Sequence, residues 1–250
     1  MDPFLELVLL AAAVFVGAVL QGVLGFGIGV VSIPVMLILH SELVPAVPLL
    51  ISLPIIALSL MRERHHVDTS SFLWLTAGRL PGTLAATAFL AVLPEFGVRI
   101  LAAGILAVVA VLMLTSRGAP VFRKVSGSRR LGIGSLSGFM ATSCGVGGPL
   151  LALAFRGSKP STMRGTINAT TLIGAVISLL GILLAGRLDN SILMTAGLLL
   201  VPALLGLVMS RSLDRHLRSE HISLIVTLSI LACCLFVLVQ LGVEWIGLLK

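Results

Sequence analysis

Ten apolar runs fill almost the whole chain, at about 4–22, 25–39, 43–61, 71–93, 97–115, 131–142, 146–156, 165–186, 191–209 and 222–242. Most are long enough to cross a bilayer, whose hydrocarbon core of about 30 Å takes about 20 helical residues. Inside lipid no water satisfies backbone N–H and C=O groups, so such runs are expected to fold as helices. Only 11% of the residues are charged and the mean hydropathy is +1.16, whereas soluble domains are about a quarter charged. The expected class is therefore an all-α polytopic protein with the lipid bilayer around it. No stretch is long and polar enough for a separate soluble domain. The start, Met1-Asp2-Pro3-Phe4, lacks the basic region of a cleaved signal, so the first segment is expected to be retained.

The net charge of +7 does not point to nucleic acid, because the basic residues sit in short loops between apolar runs. Cys233 and Cys234 are adjacent in an apolar run, and with Cys144 they form no disulfide framework. Glu63, His65, His66 and Asp68 have a metal-like composition but share a charged loop with Arg62 and Arg64, which reads as solvated. No metal site, no cofactor and no catalytic constellation is expected.

Two glycine-rich breaks interrupt the apolar pattern about 120 residues apart. One reads Gln21-Gly-Val-Leu-Gly25-Phe-Gly27-Ile-Gly29, the other Thr142-Ser143-Cys144-Gly145-Val-Gly147-Gly148-Pro149. Irregular backbone at membrane depth is tolerated where it is buried in protein or lines a cavity. A matched pair of breaks is the sequence pointer to a transport site. Either break alone is explained as well by close helix packing, since small residues line membrane helix interfaces. Their equivalent placement favours a site, with half-helix N-termini suited to an anion. The spacing is not that of a dinucleotide fingerprint, and no Lys-Ser/Thr follows as in a phosphate loop.

The two halves overlay with an offset of 118 to 121, placing Gly27-Ile-Gly29 on Gly145-Val-Gly147, Pro48 on Asn168 and Pro81 near Pro202. This predicts a first repeat at 1–116, a basic cytoplasmic linker at 117–130 and a second repeat at 131–250. The runs at 131–142 and 146–156 are too short to span and read as half-helices. If each broken pair is a hairpin followed by three full spans, one face collects 13 basic residues and the other only Arg99, Arg187 and Lys250. If each pair crosses once, the loops divide about evenly. The positive-inside rule selects the hairpins. The expected fold is two inverted repeats, each a glycine-broken helical hairpin plus three transmembrane helices, with both termini outside the cytoplasm.

Arg79 lies well inside the 71–93 run, ahead of Pro81-Gly82. An ionisable group at such depth usually faces a cavity or a partner, and a guanidinium suits the oxygens of an anion. A later helix start, with Arg79 snorkelling to the interface, is the competing reading. Asn168, with Thr166, Thr170 and Thr171, forms a polar cluster that either donates to a substrate or bonds a neighbouring helix. Substrate-binding candidates are thus Gly25, Gly27, Gly29, Arg79, Ser143, Cys144, Gly145, Gly147, Gly148 and Asn168, with Gln21, Ser32, Thr142 and Thr171 as a second tier. Cys144 lines the path or is simply a small tolerated residue. All ten Asp and Glu fall near segment ends, so no buried coupling carboxylate is visible; His40 or Glu42 are the titratable groups at the first hairpin's exit.

Gly22-Val-Leu-Gly-Phe-Gly-Ile-Gly and Gly145-Val-Gly-Gly-Pro resemble the paired motifs of the TauE/SafE family of sulfite exporters, and the resemblance spans nearly the whole chain. The string Ala141-Thr-Ser-Cys144 ahead of the second cluster departs from it. The resemblance implies a multi-pass protein of the cell inner membrane that moves a small sulfur-containing anion: sulfite, an organosulfonate such as sulfoacetate, or thiosulfate. Combined with the repeats, this gives a secondary transporter working by alternating access, with export as the expected direction. A passive anion channel is the first alternative, an intramembrane enzyme or sensor the second. Proton coupling and a homodimer are both compatible with this reading.

Overall fold

The computed structural model describes residues 2–115, 126–155, 158–184, 186 and 188–213. The last apolar run, 222–242, and most of the basic linker lie outside the described residues. Among those described the fold is all-helical: α1 (Pro3–Leu24), α2 (Ile28–Leu39), α3 (Ala46–Glu63), α4 (Thr69–Val92), α5 (Glu95–Thr115), α6 (Gly127–Cys144), α7 (Gly148–Ala154), α8 (Pro160–Leu184) and α9 (Asn190–Leu213). Five of these helices are long and apolar enough to cross a membrane: α1, α3, α4, α8 and α9.

Carboxylates start several of them. Asp2 accepts a hydrogen bond from the Phe4 N–H at 3.1 Å, with Pro3 next in line. Asp68 accepts from the Ser70 and Ser71 N–H groups, and Asp189 accepts from Ile192. Acidic residues at segment ends are thus partly helix caps, satisfying N–H groups that have no partner inside the helix.

The breaks have a common geometry. α1 ends at Gly25, with φ 84°, and α6 ends at Gly145, with φ 78°; in each the cap N–H donates to a carbonyl four residues back, Gln21 or Ala141. This left-handed turn favours glycine. It pairs Gly25 with Gly145, two residues away from the sequence overlay that set Gly27 on Gly145. The equivalence is an offset of 120, which still places Pro48 on Asn168. A second correction concerns length. α6 is no half-helix: it has 18 residues and begins at Gly127, before the apolar run. The short arms are α2, with 12 residues, and α7, with 7. Polar Ser126-Gly-Ser-Arg-Arg130 hid the first turn of α6 from a hydropathy reading.

Packing partners exchange between the halves. α1 packs on α9, as α6 packs on α4, while α3 and α8 pack on each other. The α4–α6 contact is a ladder of glycines. Gly78 and Gly82 of α4 lie against the Leu131 and Ser135 carbonyls; Gly134 and Gly138 of α6 lie against the Leu75 and Arg79 carbonyls. Two small-xxx-small stripes interlock, bringing the backbones close enough for Cα–H···O contact. In the other pair, Gly206 of α9 rests on the Phe15 carbonyl, and Gly22 of α1 on Ser210.

A chain of contacts fixes relative direction. Val23, at the end of α1, accepts a hydrogen bond from Arg164, which pairs with Glu63 at the end of α3. Asp68 N–H donates to Thr166, and Arg130 of α6 donates to Ser70 of α4. α6 therefore begins at the end of the molecule toward which α1 runs, and the two helices approach each other's breaks from opposite sides. The outer surface is apolar: on α9, Met194, Leu198, Val201, Leu205 and Val208 are exposed at helical spacing. Such a stripe suits contact with lipid.

Candidate functional site

The two breaks touch. A Cβ on Gly29 would overlap the Gly145 carbonyl oxygen, and one on Gly148 would overlap Phe26. Side chains hold each break to the helix before it. The Gln21 amide donates to the Gly25 carbonyl at 2.9 Å and to the Asn168 side-chain oxygen at 3.2 Å, tying the first break to α8. Ser137 of α6 donates to the Gly147 carbonyl at 2.9 Å.

Between the breaks lies a cavity with about 460 Å³ of empty space, counted out to its open mouth. Gly25, Gly27 and Gly29 line it from one side, and Gly145, Gly147 and Gly148 from the other. Gln21, Ser52, Arg79 and Thr171 bring polar side chains to its wall. The first helical bond of α2 runs from Val31 to the Gly27 carbonyl, so the N–H groups of Ile28, Gly29 and Val30 precede it at this wall.

Arg79 is 0% exposed, yet its Nε and both Nη atoms have no hydrogen-bond partner among the described residues. Its helix is held by the glycine ladder, with a Cβ on Gly138 falling 2.6 Å from the Arg79 carbonyl. The guanidinium rests on Gly174 of α8, where any side chain would overlap it. α4 begins at Thr69, capped by Asp68, so the later start that would let Arg79 snorkel does not occur. A buried charge needs compensation. Its unpartnered guanidinium donors are chemically suited to an anion.

Of the residues singled out in the sequence, Gly25, Gly27, Gly29, Arg79, Gly145, Gly147, Gly148, Gln21 and Thr171 border the cavity. The others lie away from its wall. Ser32 donates to the Ile28 carbonyl, and Thr142 to Gly138 while also meeting Ser178 at 2.7 Å. The Cys144 thiol donates back to Met140 and is buried among apolar side chains. Ser143 is buried, and its hydroxyl has no hydrogen-bond partner among the described residues. Asn168 reaches the site through Gln21. Sequence reading passed over Ser52, Ala175 and Gly174, whose roles depend on which face of α3 or α8 turns inward. Weak periodicity in uniformly apolar helices gives no such signal.

Charged groups cluster at the two ends. Arg164 holds Glu63 at 2.9 Å, and its Cα lies against Gly25. At the opposite end of α1, His40 meets Glu6 at 3.0 Å and Glu42 at 2.9 Å. Burial, which disfavours the charged ring, is outweighed there by the hydrogen bonds to Glu42 and Glu6, and the His40 pKa stands above 6.5. Asp68 lies below its ordinary value, chiefly through the Ser71 hydroxyl hydrogen bond. Among the described residues no group of His, Cys, Asp and Glu is arranged to hold a metal.

No curated protein and no solved structure shows significant similarity to the chain. A family model does match, over residues 9–237, and it covers both breaks, the cavity between them and Arg79. The chain belongs to the sulfite exporter TauE/SafE family of membrane transporters.

Proposed function

We propose that the protein is a secondary transporter that binds a small sulfur-containing anion between the two glycine breaks and moves it across the cell inner membrane, in the direction of export. The observation that carries this reading is Arg79: a fully buried guanidinium with no protein partner among the described residues, on the wall of the cavity where the breaks meet. Charge-assisted hydrogen bonds to an oxyanion satisfy it. Thr171, whose hydroxyl has no partner among the described residues, and the first N–H groups of α2 complete the cage, while Gln21 gives its amide N–H groups to Gly25 and Asn168 and so holds the first break in place.

The exchange of packing partners supports two inverted repeats, 1–116 and 131–250, joined by the basic linker 117–130. The basic end at Arg62, Arg64, Arg130 and Arg164 then faces the cytoplasm by the positive-inside rule, and the termini lie outside. In this arrangement alternating access is a rocking of the repeats about the breaks. Arg164 with Glu63 closes the cytoplasmic end in the conformation described, and His40 between Glu6 and Glu42 is the titratable group through which protons would couple.

Flux of labelled sulfite into proteoliposomes, with and without a pH gradient, tests the reading. Saturable uptake that leaks no bulk anion supports a transporter. Non-saturating flux that follows the membrane potential alone would favour a channel.

A further inference from the structure

The charge of the site selects among sulfur anions. Among the described residues Arg79 is the one Lys or Arg placed deep within a membrane span, and in the sequence all ten Asp and Glu fall near the ends of apolar runs. The first break does meet a second basic residue, Arg164, but Arg164 is already paired with Glu63, so that pair adds no net charge. Helix dipoles add little. At each break one helix ends, presenting carbonyls, where the next begins, presenting N–H groups: α1 before α2, and α6 before α7. The partial charges of about half a unit at facing ends have opposite sign and largely cancel. What remains is one positive charge in a cavity walled mostly by glycine and apolar side chains.

We infer that the transported species is a monoanion. A single negative charge leaves the loaded site neutral, whereas a dianion leaves an uncompensated charge out of water, which is strongly unfavourable. Sulfite therefore enters as hydrogensulfite, protonated on one oxygen, and a sulfonate with no second charge is an equivalent ligand. Thiosulfate and the sulfite dianion are excluded by charge, although their size is similar. This inference rests on the transport reading above and narrows its substrate.

The test uses the full-length protein in proteoliposomes with the same pH on both sides. Three labelled probes are compared: sulfite, methanesulfonate (a monoanion at every pH used) and thiosulfate (a dianion at every pH used). The pH is set one unit below and one unit above the second ionisation of sulfite. Sulfite flux is expected to fall about tenfold across that step, following the hydrogensulfite fraction. Methanesulfonate flux is expected to stay level, and thiosulfate flux to be at least about tenfold below it. Sulfite flux that holds or rises with pH overturns the inference, as does thiosulfate flux equal to that of methanesulfonate. A methanesulfonate flux that falls in step with sulfite also overturns it, by assigning the pH dependence to the protein. Were none of the three to move, the transport reading itself would fail with it.

Discussion

The guanidinium of Arg79, carried by α4, lies across Gly174 of α8, so close that a Cβ on Gly174 would overlap both Nε and Cζ. Two helices from opposite halves of the chain thus meet at one buried guanidinium: one supplies the charge and the other the bare surface against which it rests.

Gly174→Ala is expected to push the guanidinium out of place and to lower transport at least about tenfold, the loss of one charged hydrogen bond or more, worth about 1.5–3 kcal/mol. Gly197→Ala is the control, since Gly197 is exposed on α9 with no atom within 4 Å of a new Cβ. A Gly174→Ala protein that transports at the wild-type rate would separate Gly174 from Arg79 function.

The glycine ladder between α4 and α6 predicts a stability effect. Replacing Gly82 by Ala drives a methyl into the Ser135 carbonyl and main chain, where neither partner is a flexible side-chain end. Overpacking of this kind costs about 1–3 kcal/mol. Thermal unfolding in detergent should show a lowered midpoint for Gly82→Ala and none for Gly197→Ala; equal midpoints would remove the ladder as a source of stability.

Much of this arrangement was legible in the residues, and the illegible part has physical causes. The αL turns at Gly25 and Gly145 follow from glycine runs inside apolar segments, and Arg79 stood out because charge is rare at that depth. The overlay of the halves spans offsets of 118 to 121 because a Gly-x-Gly-x-Gly string offers several alignments, and the shared left-handed turn at Gly25 and Gly145 corresponds to 120. The first turn of α6 is polar and packs at the start of α4, through Arg130 on Ser70, so hydropathy alone does not reveal the length of α6. Cys144 precedes the second break and Asn168 stands in the polar cluster of α8, yet helix rotation turns the first into the apolar core and the second toward Gln21.

Arg164 and Glu63 join α8 to α3 beside the first break, and Arg164 also donates to the Val23 carbonyl at 3.3 Å. Glu63→Gln should loosen this end and raise the accessibility of a cysteine introduced at Ser52 to cytoplasmic-side thiol reagents. The exchanged pair, Glu63→Arg with Arg164→Glu, should restore protection. Unchanged labelling in the single variant would rule out a closing role.

His40 gives a pH dependence of defined sign. Its folded pKa is raised above 6.5 by Glu42 and Glu6 despite burial. Its contribution to stability is therefore full below the unfolded pKa and is lost as pH rises through the folded one. Wild type should lose melting temperature relative to His40→Gln across that interval. For Asp68 the sign is opposite: its pKa is lowered by Ser71, so its contribution holds above the unfolded value and fades as pH falls through the folded one. Asp68→Ala should cost about 1 kcal/mol as a lost helix cap, and melting curves parallel to wild type would contradict both assignments.

Arg79 is proposed to hold the transported anion, and labelled sulfite flux in proteoliposomes containing Arg79→Gln measures that role. The variant is expected to reconstitute and melt like wild type while losing at least about tenfold in flux, the value of a charged hydrogen bond. Arg79→Lys should recover part of the loss, since an ammonium supplies the charge without the planar fork. A folded Arg79→Gln protein that moves sulfite at the wild-type rate would contradict the account.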